Sequence, residues 1–333
     1  MPTKVLNWGL LSTANINRAL IPPIKNSERN ELVAVASRDA DKAKDYAKKW
    51  EIPKTFGSYQ ALLDDPGIDV IYISLPNSLH AEWAIKAAQS GKHVLCEKPL
   101  AMSVNEADAI REAADHWGVI IAEAFMYRHH PQSQQVKLLV DDGQIGDLQL
   151  IRGSFTFPLE DKQDIRLFSK LGGGSIWDVG CYPISYARFV AGEEPDQVFG
   201  WQICNEDGVD LQFMGQMRFP NGVVAQFDSS FQTPFRVQIE IVGGEGSLFL
   251  SNPFKPGWSN IIRLTRDGET KDIPVPGEEL YSGEVEDMAD AILYGRKPRI
   301  PLEDSRGNVA TIQALLQSAA LGKPVSLKSA RLE

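Results

Sequence analysis

The sequence predicts an α/β fold in two parts: a doubly wound parallel sheet at the N-terminus, then an α+β domain with a large, mostly antiparallel open sheet. Three observations carry this. In the first part, short runs of Val, Ile and Leu alternate with stretches of helical composition. From about residue 148 the apolar residues recur at every second position instead. The length, 333 residues, is also about twice the ~150-residue prior for one domain. The division is expected at 1–124 and 125–333.

The apolar runs of the first part fall at 5–8, 32–37, 70–75, 93–96 and 119–122, with helical stretches at 41–50, 81–90 and 104–117. These runs are continuous rather than alternating, as strands buried on both faces require, so helices cover both sides of a parallel sheet. Pro22 and Pro23 shorten or kink the helix after the first strand. In the second part, 209–219 places Val209, Leu211, Phe213, Met217 and Phe219 on one face and Asp210, Gln212, Gln216 and Arg218 on the other. Pro220-Asn221-Gly222 supplies a turn. The next run sets Val223, Ala225 and Phe227 against Val224, Gln226 and Asp228, and 237–242 and 247–250 continue as a meander. Stretches 283–294 and 303–320 read as helices, the second expected to pack back on the N-terminal domain.

Composition narrows the partners. With 43% hydrophobic and 23% charged residues the chain has the balance of a globular protein, which excludes disordered and fibrous classes. Lys and Arg number 34 against 44 Asp and Glu, a net charge of −10 that argues against nucleic acid or an anionic membrane as the main partner. A small molecule is the expected ligand. The three cysteines, Cys96, Cys181 and Cys204, show no CxxC spacing, which suits a reducing compartment and gives no zinc site. No basic head with an apolar run follows Met1, and no stretch approaches 18 apolar residues, so a soluble cytosolic protein is expected.

The first strand runs into Gly9-Leu-Leu-Ser12-Thr13-Ala14-Asn15-Ile16. A Rossmann fold places a tight turn of small residues here, so that backbone N–H groups at a helix N-terminus approach a pyrophosphate. Gly9, Ser12, Thr13 and Ala14 suit that turn, although Gly9 alone of the G-x-G-x-x-G glycines is present. At the end of the second strand, Ser37-Arg38 offers donors and positive charge to a ribose 2′-phosphate, so NADP is favoured over NAD. Arg38 could instead pair with Asp39 or Asp41, and Asp39 could itself serve a ribose. Glu97-Lys98-Pro99 follows the 93–96 run, at the carboxyl edge where doubly wound sheets bind ligands.

With Leu75-Pro76-Asn77, these segments resemble the glucose–fructose oxidoreductase, inositol dehydrogenase and rhizopine-catabolism family, Gfo/Idh/MocA. Gly172-Gly-Gly-Ser-Ile-Trp177-Asp178-Val-Gly-Cys-Tyr182-Pro is similar to the family's second-domain signature. Glu123-Ala-Phe-Met-Tyr-Arg128-His-His-Pro-Gln132 is similar to the branch holding dimeric dihydrodiol dehydrogenases and NADP-dependent aldose dehydrogenases. Tyr182 stands where inositol dehydrogenases often carry histidine, which steers the resemblance toward the sugar and dihydrodiol branch. The likeness spans essentially the whole chain. It implies a cofactor site that includes Asn15, Ile16, His80, Glu97, Lys98 and Arg128 besides the residues above.

Moving a hydride to or from carbon requires a proton to move at the adjacent oxygen. Tyr182 can donate and accept it, with an ammonium favouring the phenolate; the resemblance makes Lys98 that charge. Asp178 lies four residues before Tyr182, on the same face if the stretch is helical, and would orient the substrate or Lys98. Singly, Lys98 could pair with Glu97, Tyr182 could be a packed helix residue, and Asp178 could cap a helix. Pocket walls are expected from Arg128, Phe157, Arg166, Trp177 and Phe235, a mixture of aromatic faces and donors suited to carbohydrate. His129-His130 lacks a third ligand, so packing or substrate hydrogen bonding is expected rather than a metal. His80 is a cofactor-site candidate or a surface histidine. The expected activity is NADP-dependent transfer of hydride at a hydroxyl or carbonyl carbon of a sugar or cyclic diol. The alternatives are an NAD-dependent glycosidase of the same fold and a non-catalytic NADP sensor. Gln212, Gln216, Gln226, Asp228, Gln238 and Glu240 form a polar sheet face expected to pair two copies as a homodimer or higher homo-oligomer.

Overall fold

A computed structural model describes residues 4–327; residues 1–3 and 328–333, which the expected domains include at their ends, lie outside the described residues. The chain divides into two compact units. The first takes in the described chain up to Met126 together with Tyr281–Arg306, and the second takes in Tyr127–Leu280 and the described chain from Gly307 onward.

The first unit runs β1 (Leu6–Leu11), α1 (Asn17–Asn26), β2 (Asn30–Ala36), α2 (Ala40–Trp50), β3 (Lys54–Phe56), α3 (Tyr59–Leu63), β4 (Val70–Ile73), α4 (His80–Gln89), β5 (His93–Glu97), α5 (Val104–Trp117) and β6 (Ile121–Ala124). Its strands form a six-stranded parallel sheet in the order β3-β2-β1-β4-β5-β6. The order reverses between β1 and β4, which is where such sheets open a crevice at their carboxyl ends. Leu6, Trp8 and Leu10 of β1 pack with Leu20, Ile21 and Ile24 of α1 on one side. The indole N–H of Trp8 donates to Asn30 Oδ1 at 2.7 Å, so this large buried ring keeps its polar atom satisfied. Helix ends follow local chemistry: Ser103 accepts from the Glu106 N–H to open α5, and Gly118 closes it at φ 64°.

The second unit contains α6 (Pro131–Asp141), β7 (Leu148–Thr156), α7 (Cys181–Ala191), β8 (Gln197–Cys204), β9 (Asp210–Arg218), β10 (Val224–Ser230), β11 (Arg236–Gly243), β12 (Gly246–Leu250), β13 (Ser259–Arg266) and β14 (Glu269–Pro276). The chain then returns to the first unit with α8 (Ser282–Tyr294), and α9 (Leu302–Leu321) leads to β15 (Val325–Ser326). The nine-stranded sheet has the order β14-β13-β12-β11-β7-β10-β9-β8-β15. It is not a simple meander: β7 inserts between β11 and β10 and pairs parallel with β10.

The helix that joins the parallel sheet is α8, where 303–320 was expected. Val285, Met288 and Ala289 of α8 complete the cluster around α1, and Arg29 binds Asp290 at 2.6 Å and also Glu286. Most of α9 lies on the antiparallel sheet instead, because two glycines make room for it. Gly200 of β8 and Gly215 of β9 are register partners. A Cβ on Gly215 would stand 2.2 Å from the Phe227 ring, and one on Gly200 would stand 3.0 Å from the Leu315 carbonyl. The rings of Phe213 and Phe227 stack at 6.0 Å across this gap. Gly215→Ala overpacks the interface and is expected to lower the thermal midpoint by about 3–8 °C. Gly257→Ala, where nothing lies within 4 Å, should leave it unchanged in the same differential scanning measurement.

Candidate active site

At the sheet's reversal point the chain leaves β1 through a strained turn. Ser12 adopts φ 145°, a region that L residues rarely enter. Its hydroxyl lies 2.8 Å from Ser74 Oγ, at the end of β4, and accepts from the Ala14 N–H at 3.1 Å. Asn17 Nδ2 donates to the Ser12 carbonyl at 2.9 Å. The turn therefore needs no glycine at this position. Gly9 lies inside β1, and its missing Cβ leaves room for Leu62 at 3.0 Å; the turn itself begins at Ser12. Thr13, Ala14, Asn15 and Ile16 lead into α1, whose N-terminus has neither a side-chain cap nor an acidic residue in its first turn. That end carries partial positive charge and fits a pyrophosphate.

The second strand ends with a division of labour. Ser37 Oγ accepts from the Asp39 N–H at 3.2 Å. Asp39 Oδ1 accepts from the N–H groups of Asp41 and Lys42, at 3.0 and 3.2 Å, and caps α2. Arg38 is exposed beside them. The Arg38 charge and a hydrogen bond to it pull the Tyr59 phenol down against the larger upward push of burial. Tyr59 was not among the expected site residues.

The ends of β4 and β5 are tied by His80. The imidazole is fully buried rather than at the surface, with Nδ1 2.7 Å from the Pro99 carbonyl and Nε2 2.8 Å from the Leu75 carbonyl. Burial lowers its pKa and the Lys98 charge adds to this, while the two carbonyls pull upward. His80 thus links the Leu75-Pro76-Asn77 segment to the Lys98-Pro99 segment through backbone. Glu97, the last residue of β5, accepts a short hydrogen bond from the Tyr72 hydroxyl. Tyr72 is buried completely, with its pKa pushed up by burial and by Glu97, so the phenol stays protonated and donates.

In the second unit, Gly172–Gly174 turns tightly against Arg166. A Cβ on Gly173 would stand 2.4 Å from the Arg166 carbonyl, which accepts from the Gly174 N–H at 3.0 Å. A π-turn over Ile176–Gly180 follows and runs directly into α7. Pro183 lacks an N–H and crowds the carbonyl four residues back, which accounts for the widened turn. Asp178 and Tyr182 therefore sit on a π-to-α junction, not on the regular helix that their spacing suggests. Asp178 Oδ2 accepts from Arg166 Nε at 2.7 Å, and Asp164 accepts from Arg166 Nη1 at 3.2 Å. Arg166 is thus spent on orienting Asp178, and both carboxylates push its own pKa up. The Tyr182 ring is buried among Tyr127, Phe155 and Phe254, with centroids 5.9, 5.4 and 5.6 Å away.

The other expected wall residues differ in exposure. Trp177 is buried beside Asp178 in sequence, and Phe157 meets the edge of Phe231. Arg128 is buried, with its guanidinium 4.3 Å from the Phe189 centroid. Phe235 stands apart, 67% exposed. His130 caps α6 by accepting from the Gln132 N–H at 3.1 Å, and burial lowers its pKa. Among the described residues no cluster of His, Cys, Asp or Glu could hold a metal ion.

A doubly wound sheet with a pyrophosphate-compatible turn, in one chain with a glycine-locked tyrosine segment on an open sheet, defines a two-domain nicotinamide-dinucleotide oxidoreductase. Comparison with known families gives the same class. Residues 6–125 match the oxidoreductase family with an NAD-binding Rossmann fold, and residues 133–249 match the GFO/IDH/MocA C-terminal domain. The chain belongs to the Gfo/Idh/MocA oxidoreductase family. It is 38% identical over 325 residues to D-xylose 1-dehydrogenase (NADP(+)) 2 of Haloferax volcanii, covering 96% of this chain and 99% of that one. It is 32% identical to trans-1,2-dihydrobenzene-1,2-diol dehydrogenase of Xenopus laevis, covering 94% and 96%. A 3-ketoreductase from Actinomadura kijaniata, solved with NADP and TDP-benzene, superposes with a TM-score of 0.90 at 29% identity, covering 95% of this chain and 98% of that one.

The strained turn gives a test of its own. Ser12→Ala keeps the unfavourable φ and loses the hydroxyl bonds, whereas Ser12→Gly loses the same bonds but relieves the strain. Although Gly is ordinarily the less stable choice, Ser12→Ala is expected to be the less stable variant by about 1–2 kcal/mol in urea unfolding. The reverse order would show that no strain is stored there.

Proposed function

We propose that Tyr182 is the acid/base of an NADP-dependent hydride transfer and that Lys98 supplies the positive charge that makes its phenolate accessible. The chain is an NADP-dependent oxidoreductase acting on a hydroxyl or carbonyl carbon of a sugar- or diol-like substrate. The observation that carries the cofactor assignment is the end of β2: Asp39 is committed to capping α2 while Arg38 is exposed next to Ser37. A carboxylate free to bind a ribose 2′-hydroxyl would favour NAD; an exposed guanidinium favours a 2′-phosphate. The α1 N-terminus and the Ser12 turn receive the pyrophosphate, with Leu75, Pro76, Asn77, His80, Glu97 and Lys98 toward the nicotinamide. When bound, the nicotinamide accepts or returns a hydride at its C4.

Tyr182 takes the hydroxyl proton during oxidation and returns it during reduction. Asp178, oriented by Arg166, accepts a hydrogen bond from a neighbouring substrate hydroxyl and sets the carbinol carbon in place. Trp177 and Phe157 offer flat faces to a ring, and Arg128 a donor. The relatives' dehydrogenase and reductase names support a polyhydroxylated or cyclic diol substrate. Two copies pair through the outward face of the second sheet. There Phe199, Gln216, Gln226, Arg152, Glu240 and Phe249 form one cross-strand row, with Trp201 65% exposed on the face of β8 that carries Phe199. That face is less polar than its glutamines suggest, which strengthens the case for burial. Among the described residues no helix is long and apolar enough to cross a membrane. The three free cysteines, two of them buried, support placing the protein in the cytoplasm.

A screen of aldoses, inositols, anhydro sugars and dihydrodiols at 340 nm with NADP and NAD should find turnover with NADP. Arg38→Ala should then weaken NADP by about 10- to 100-fold and leave NAD nearly unchanged; equal loss for both would place Arg38 elsewhere on the cofactor. Tyr182→Phe should lower kcat by about 10²- to 10⁴-fold with cofactor binding intact, and Lys98→Met at least as much, the double variant being scarcely worse. Near-normal turnover by Tyr182→Phe would reassign the proton to another group.

A further inference from the structure

The alternation of β9 puts Asp210 on the solvent face, yet the structure buries it to 4% exposure. The reason is a bulge. Ile203 pairs with Gln212 and Cys204 with Asp210, so Leu211 is an extra residue and Asp210 changes face. Turned inward, Asp210 Oδ2 accepts from Ser175 Oγ at 2.7 Å and from the Ile176 N–H at 2.8 Å. These donors stand at the N-terminus of the helical segment that carries Asp178 and Tyr182. Ser175 Oγ also lies 3.0 Å from Ser229 Oγ on β10. Gly174, at φ 130°, lies so close that a Cβ there would stand 2.3 Å from Asp210 Oδ1. The carboxylate is thus fitted against the turn from one side and reaches its donors from the other.

We propose that Asp210 is a positioning residue for the reaction: its ionised carboxylate anchors the Gly174–Gly180 turn and so fixes where Asp178 and Tyr182 stand. This rests on the acid/base reading of Tyr182. A carboxylate is the right group because the N-terminal N–H of a helix and the aligned peptide dipoles both favour a negative charge. Burial pushes the Asp210 carboxyl up to about 6, while the bonds from Ser175 and Ile176 pull it down. The groups around it are Ser175 and Ile176 on the turn, Ser229 on β10 through Ser175, and Cys204 on β8, whose thiol is pushed up by burial and by the Asp210 charge. A carboxyl whose pKa is higher folded than unfolded contributes stability that is present at acid pH and lost as pH rises through about 6. Keeping it ionised at neutral pH therefore works against stability.

The test compares Asp210→Asn, Ser175→Ala and Tyr182→Phe with the unaltered protein, using NADP and the best substrate of the screen across pH 5–9. Asp210→Asn is expected to lower kcat about 10- to 100-fold at pH 8, with KM for NADP unchanged and a thermal midpoint at pH 8 no lower than that of the unaltered protein. The acid limb of kcat, expected near pH 6, should vanish in Asp210→Asn. In Ser175→Ala, which removes a bond that holds the Asp210 pKa down, the limb should move to higher pH. Unchanged kcat in Asp210→Asn overturns the proposal. So does a loss matched by a lower midpoint and a raised KM for NADP, the mark of general damage. Full turnover by Tyr182→Phe removes the acid/base reading on its own. Asp210 is then judged by amide hydrogen exchange of residues 174–182, expected to quicken in Asp210→Asn; unchanged exchange there overturns the proposal.

Discussion

One extra residue in one strand turns a carboxylate inward onto the start of the helical segment that carries Asp178 and Tyr182. With Leu211 bulged out of the β8–β9 ladder, a carboxylate that alternation would expose turns inward and meets the start of a helix. The surrounding segment has no slack to compensate. Gly173 is pressed against the Arg166 carbonyl and Gly174 against Asp210 itself, so even a methyl group at either position meets an atom within 2.4 Å. Past this turn the chain enters the π-turn that Pro183 imposes and then α7, which carries the Tyr182 ring. Rigid placement of this kind suits the proton transfer proposed for Tyr182.

The first unit solves a related problem with different means. Its strand ends are bridged by small, fully used polar groups: Ser12 to Ser74, His80 to two carbonyls, and Tyr72 to Glu97. None of these spends a net charge in the core except where a partner takes it up, since the buried Tyr72 donates to the Glu97 carboxylate. The backbone at Ser12 is held in a conformation usually left to glycine because the hydroxyl has partners that glycine could not supply. The crevice at the sheet's reversal point is thus shaped by side-chain bonds rather than by glycines.

What could be read from the chain follows from how local each signal is. The parallel strands are legible because burial on both faces leaves continuous apolar runs, and α5 because 104–117 has helical composition throughout. Strand β3 is three residues long and begins at a lysine, β13 carries exposed charges and β14 exposed charges and prolines, so neither period nor composition reveals them. The packing of Leu62 against Gly9 is not legible either, because Leu62 lies far along the chain. Among the candidate site residues, Lys98, Asp178 and Tyr182 stand out through motifs. Asp210, Tyr59 and Tyr72 carry no motif, and each acts through a partner that only the fold brings near. A bulge cannot be seen in a strand's own sequence, which is why Asp210 was assigned to the wrong face.

The central claim is direct, net hydride transfer between the substrate carbon and the nicotinamide. It is tested most directly by oxidising a substrate deuterated at its carbinol carbon with NADP and examining the isolated coenzyme by proton NMR. The account predicts one deuterium per molecule at C4 of the NADPH formed, on a single face of the ring, in step with product. Substrate conversion without net NADPH, or NADPH whose C4 carries no deuterium, would contradict it.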